Sequence, residues 1–175
     1  IHGSPDNDNA KRIAIDYSSN IYITGDTKGD FGDEKNIGET GHEDIIVARF
    51  NPNLICLWTK LAGGTSTDYG RGINTDSNGN VYVTGYQYNN DIGRKNDVIL
   101  LKYSSTGNKL WTKYLYTDED DFGMCVNKDN NDNIILAGTT EGGLAGWENL
   151  GTTFKMDIFL AKFDSDGNMQ WTNKY

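Results

Sequence analysis

One strand is written three times in this chain. "SNIYITG" spans residues 19–25, "GNVYVTG" spans 79–85, and "DNIILAG" spans 132–138. Around it recur Trp58, Trp111 and Trp171, the closing Gly25, Gly85 and Gly138, and Asp44, Asp97 and Asp157, each opening a later apolar run. The step from Asp to the next Trp is 14 residues in every copy, and from Trp to the following Gly it is 27 both times. Only the Gly-to-Asp step varies, at 19, 12 and 19. Spacing that is fixed everywhere except in one segment describes a structural unit with one free loop, and a repeat of this period decides the fold.

Each unit reads as four strands. The first is marked by Asp8-Asn9-Ala10, Asp68-Tyr69-Gly70 or Asp121-Phe122-Gly123, then by Ile13, Ile73 or Val126. A tight turn follows, "DYSSN", "DSNGN" or "DNNDN". Asp and Asn suit it because they bond to their own backbone and tolerate left-handed conformations. The repeated motif is the second strand. The third, "DIIVARF", "DVILLKY" or "DIFLAKF", is a continuous apolar run that predicts burial on both faces. Turns "NPN", "SSTGN" and "DSDGN" lead to the fourth strand, "LWTK" or "QWTN". No stretch keeps a 3.6-residue apolar period for ten residues, which argues against helical repeats. The predicted fold class is all-β: three four-stranded antiparallel units stacked as β-propeller blades, at about residues 4–60, 64–113 and 117–175.

The run "DSNGNVYVTGY…NDVILLKYSSTGNKLWTK" resembles the bacterial β-propeller repeat often called SBBP, in three tandem copies over nearly the whole chain. The resemblance implies a propeller, commonly in secreted or envelope-associated bacterial proteins, and implies no single activity. The third copy departs from it at Ile135-Leu136-Ala137, where the strand itself survives.

Closed propellers hold about four to eight blades. Three units therefore predict a partial propeller, or part of a ring that other blades close. The additional blades belong to a longer array or to a second copy of the chain, or the arc stands alone.

Composition narrows the function. A net charge of −9 and a pI near 4.6 disfavour nucleic acid and anionic membrane surfaces, both of which attract a basic footprint. No apolar run reaches the roughly 20 residues of a membrane span, so membrane insertion is not expected. The chain opens on Ile1 rather than Met, so its start reads as a trimmed or mature end. Cys56 and Cys125 fall outside the repeat and read as free thiols.

The recurring Trp residues read as packing between adjacent blades, with a carbohydrate platform as the sharper alternative. Trp147, in the loop "GGLAGWENLGTTFK", has no counterpart in the other copies and is the candidate ligand-binding residue. The recurring Asp residues at the strand openings read as acceptors of backbone N–H groups, the alternative being a cation ring. "DNNDN" and "DSDGN" look like fragments of calcium loops, but their twelfth positions fall on Thr140 and Tyr175 rather than Glu. His2 and His42 lie 40 residues apart with no third ligand near, so no metal or cofactor is expected. No nucleophile elbow, P-loop or dinucleotide fingerprint occurs, and no catalytic residue is assigned.

The sequence thus points to a non-enzymatic binding or scaffold module of an extracellular or envelope protein. Its variable loops would meet a protein or glycan partner, with self-association as a route to ring closure. A structural spacer, or an enzyme using channel residues such as Arg12, Arg71 and Lys128, are the other readings.

Overall fold

The computed structural model of the chain describes residues 3–37, 41–89, 95–143 and 155–175. Twelve strands form three separate four-stranded antiparallel sheets, each a meander in chain order. The first holds β1 (Asp8–Ile15), β2 (Ile21–Thr27), β3 (Asp44–Phe50) and β4 (Cys56–Ala62). The second holds β5 (Asp68–Thr75), β6 (Val81–Asn89), β7 (Lys95–Tyr103) and β8 (Lys109–Leu115). The third holds β9 (Asp121–Lys128), β10 (Ile134–Thr140), β11 (Asp157–Phe163) and β12 (Met169–Lys174). The fourth strands of the first two sheets run to Ala62 and Leu115, two residues past the edges read from sequence.

The sheets stack face to face. β5 packs on β1, β2 and β3, and β9 packs on β5, β6 and β7, so the first strands line a common inner side. One core lies between the first two sheets, where Tyr22, Ile45 and Val47 meet Ile73, Val83, Ile99 and Tyr103. A second lies between the next two, where Tyr82, Val98 and Leu100 meet Ile134, Leu136 and Phe159. This double-sided burial holds for β3 and β7. β11 instead alternates, with Ile158 57% exposed, because among the described residues no fourth sheet covers its outer side.

A bulge explains the Gly that closes every second strand. The register of each first strand slips by one residue, leaving Lys11, Arg71 and Met124 without a partner. The slip pushes a carbonyl toward the neighbouring strand. A Cβ on Gly25 or Gly85 would sit 1.7 or 1.8 Å from the Asn9 or Tyr69 carbonyl oxygen, and only Gly fits.

The short turns follow the Asp and Asn reading. The Asp16 carboxylate accepts the backbone N–H groups of Ser18 and Asn20 at 2.8 and 2.9 Å. Asp76 and Asp129 do the same two and four residues on. Asp164, in the calcium-like "DSDGN", likewise accepts from Asp166 and Asn168. Among the described residues no group of three His, Cys, Asp or Glu side chains could hold a metal ion, and no helix is long and apolar enough to cross a membrane.

Candidate functional site

Two sides of the stack differ in kind. One carries the six short turns that join first to second and third to fourth strands. The other carries the connections from second to third strands, together with the links from each sheet to the next.

On the turn side the sheets are latched by a repeated device. Trp58 donates its Nε1–H to the Ser105 carbonyl in the next sheet at 3.0 Å, and Trp111 reaches the Ser165 carbonyl at 3.3 Å. The same two carbonyls accept from Arg49 and, at 2.7 Å, from Lys102. Each cation also lies over a ring of its own sheet, Arg49 over Tyr22 and Lys102 over Tyr82. Each indole lies against a turn Gly of the next sheet, Gly107 or Gly167, both at positive φ. An ideal Cβ there would come within 3.0 or 3.1 Å of the ring. The Trp residues are therefore architectural where a sheet follows. Burial, with the Asp16 hydrogen bond second, pushes the Tyr22 hydroxyl up to about 12.

On the loop side the recurring Asp residues meet across the sheet boundaries. Asp44 and Asp68 are both fully buried, as is Asp121, which faces Asp97. Desolvation raises Asp68 to about 7 and the Asp44 charge adds to it, while a 2.7 Å bond from the Gly64 N–H opposes. Asp44 and Asp121 rise to about 6, mainly by burial. Among the described residues, Asp44 of the third-strand set accepts a backbone N–H, from Ile37 at 2.6 Å. Asp97 takes the Asn89 side chain instead, and Asp157 pairs with Lys174 at 2.9 Å. At the first sheet, which no other described sheet covers on that side, Asp8 is exposed and accepts from Ser4 and Thr27.

Residues 28–37, from the long loop of the first sheet, fold back over its outer side. Phe31 is buried on Ile46, Ala48 and Leu61, with Ile37 beside it. Lys60 bonds to Glu34, and Lys35 to Asp30 at 2.5 Å. Beside this segment, Pro5, Asp6, Lys28, Asn36 and Gly41 line an open hollow of about 480 Å³. The root of the loop crosses to the second sheet, where His42 Nδ1 lies 3.0 Å from the Thr67 hydroxyl. The start of β7 crosses likewise to the third sheet, with Lys95 on Glu119 and the Asn96 N–H on Asp120.

Near the inner, loop-side end of the second sheet, the bulged Arg71 lies over the rings of Tyr69 and Tyr86, 5.1 and 5.2 Å away, and donates to the Tyr86 hydroxyl at 2.7 Å. Phe122 of the third sheet meets Tyr86 edge-on at 4.8 Å. The matching positions of the first sheet carry Asn9, Lys11 and Asp26, joined by a 2.8 Å bond and a 3.8 Å ion pair. Arg71 was singled out by sequence; its aromatic partners were not. The signal available was that the residue after each closing Gly differs, as Asp26, Tyr86 and Thr139. Trp147 lies outside the described residues. Arg12 and Lys128, also on first strands, do not join the Arg71 cluster: Arg12 bonds to the Lys11 carbonyl and Lys128 to Asp132. Cys56 and Cys125 are free.

The family described as "SBBP: Beta-propeller repeat" matches residues 3–32 and 57–93. Over those two stretches the chain matches the SBBP propeller repeat. The sheets, latches and turns above are thus propeller blades, three in number among the described residues. The chain is 26% identical, over 153 residues, to an uncharacterized WD repeat-containing protein, L264, of Acanthamoeba polyphaga mimivirus; the match covers 73% of this chain and 11% of that protein. It spans about a tenth of the length of that curated relative. A protein of unknown function from Bacteroides caccae shares 11% identity at a TM-score of 0.48, over 94% of this chain and 60% of that one.

Proposed function

We propose that these SBBP blades form a non-enzymatic binding module that offers its loop side to a protein or glycan partner, as part of an extracellular or envelope bacterial protein. The unequal make-up of the two sides carries this reading. Six hydrogen-bonded turns repeat on one side, whereas the other varies in length and in side chains from blade to blade. Variation on a rigid frame is where recognition is built. The half-buried cluster of Arg71, Tyr69, Tyr86 and Phe122 belongs to that side and suits stacking on a sugar ring or an aromatic side chain.

Glycan-array and pull-down binding with the intact chain tests it. Binding that weakens tenfold or more in Arg71→Ala, and stays unchanged in Ser18→Ala on the turn side, supports the reading. Absence of any ligand, or equal loss in both variants, favours a structural spacer. Turnover in a screen supplemented with metal ions and quinones would overturn the non-enzymatic assignment.

A further inference from the structure

The outer side of the third blade repeats a surface that is covered elsewhere in this chain. Ile158 is 57% exposed, whereas its counterparts Ile45 and Val98 are fully buried beneath the following blade. Tyr175 is 67% exposed, against 3% and 7% for its counterparts Ala62 and Leu115. Trp171 has the place of Trp58 and Trp111, but among the described residues no turn of a following sheet receives it. Lys162, whose counterparts reach across to that turn, folds back to Asp129 at 2.8 Å.

The two internal interfaces show what such a surface receives. The incoming blade brings a turn with Gly at its fourth position, Gly107 or Gly167, against the indole. It also brings a first strand with Gly at its third position, Gly70 or Gly123. A Cβ there would lie 2.5 or 2.3 Å from the hydroxyl of Thr24 or Thr84, and 2.7 Å from the carbonyl of Gly25 or Gly85. The first blade has neither Gly. Leu54, at φ 62°, takes the turn position, and Ala10 takes the strand position. The third blade carries Ala137 in place of the Thr, which removes the hydroxyl from the second clash but leaves the Gly138 carbonyl. Phe31 and its loop also occupy the outer half of the first blade's free side.

We propose that the outer side of the third blade docks one further blade of this repeat, selected by glycine at those two positions, and that the first blade of a second copy of this chain does not qualify. This selection is independent of whatever the loop side binds, so a chain that captures no glycan or protein still docks its neighbour blade.

The test extends the full chain, directly after Tyr175, with a copy of residues 63–115, in a background where Trp147 and the copied Trp111 are Phe. Acrylamide quenching then reads Trp171 beside the two latched indoles. With the native copy, the readily quenched fraction of the emission falls severalfold. With the copied Gly70 and Gly107 changed to Ala and Leu, as in the first blade, quenching stays at the level of the unextended chain. Equal protection by both copies, no protection by either, or an appended segment that stays unstructured by circular dichroism overturns the proposal. Light scattering on the native chain supplies the second measurement: a monomer is expected, and a dimer in which Trp171 is protected overturns the exclusion of a second copy.

Discussion

The outer sides of the first and third blades carry residues of the same repeat and meet opposite fates. On the first, Phe31 and Ile37 return from the long loop and cover Ile46, Ala48 and Leu61, while Ile13 stays 62% exposed nearer the inner strand. On the third, Ile158, Trp171 and Tyr175 face outward without cover from another blade. A blade side that no other blade covers needs a surface that tolerates water. The first blade meets that need through a loop and two non-glycine residues; among the described residues the third blade shows no such cover. Which side of a blade becomes core is thus decided by the neighbour it receives.

The contrast between latched and unlatched positions is sharpest at the indoles. Trp58→Ala removes an indole packed between Tyr22 and Tyr103, and is expected to destabilise by about 3–5 kcal/mol. Trp171→Ala, at the open side, is expected to lose less than about 1 kcal/mol, as changes at exposed positions generally do. Chemical denaturation of both variants checks this, and equal losses would break the distinction.

The carboxylates sharpen the same contrast through pH. Asp68 titrates at about 7 in the folded chain, mainly through desolvation, against an ordinary value of 3.8. A folded value above the unfolded one means that stability is fully present below about pH 4 and is lost as pH rises through 7. At about 1.4 kcal/mol per unit, the limit is near 4 kcal/mol. Asp44 and Asp121, at about 6, act in the same direction over a slightly lower range. The melting temperature is therefore expected to fall between pH 4 and 7, and to fall much less in Asp68→Asn, which still accepts from the Gly64 N–H. A melting temperature that rises over that range in the native chain contradicts the burial assigned to these acids. The lowered Asp16, Asp129 and Asp164 titrate in the opposite sense, but they lie in turns near solvent and their effect is small.

Two turn substitutions make a smaller pair. Gly107→Leu forces a side chain at positive φ against Trp58 and is expected to cost about 1–3 kcal/mol. Leu54→Gly, its mirror at the open end, relieves a left-handed Leu and is expected to stabilise by about 1 kcal/mol. Thermal melts read both; a loss in Leu54→Gly would show that this turn is packed after all.

Much of the blade was legible in the sequence because it is local. Alternating and continuous apolar runs define the strands, and Asp16, Asp76 and Asp129 mark the turns they close. The role of the repeated Trp in packing between blades was legible too. The bulge at Arg71 was not, since Gly70-Arg71-Gly72 reads as ordinary strand and the slip shows only in its pairing with β6. The meeting of Asp68 with Asp44, 24 residues apart, was equally hidden: each looked like the end of its own strand.

By itself the sequence determined three sheets of four strands, the turns between them and the one loop free to vary, because pleat periodicity and Asx turns act within a few residues. The stacking of the sheets alone decided that Asp68 is buried while Asp8 is not, that Trp58 is latched while Trp171 is open, and that Phe31 lies over the first blade. Each of those outcomes depends on which surface lies opposite, and a strand carries no local record of its neighbour across the stack.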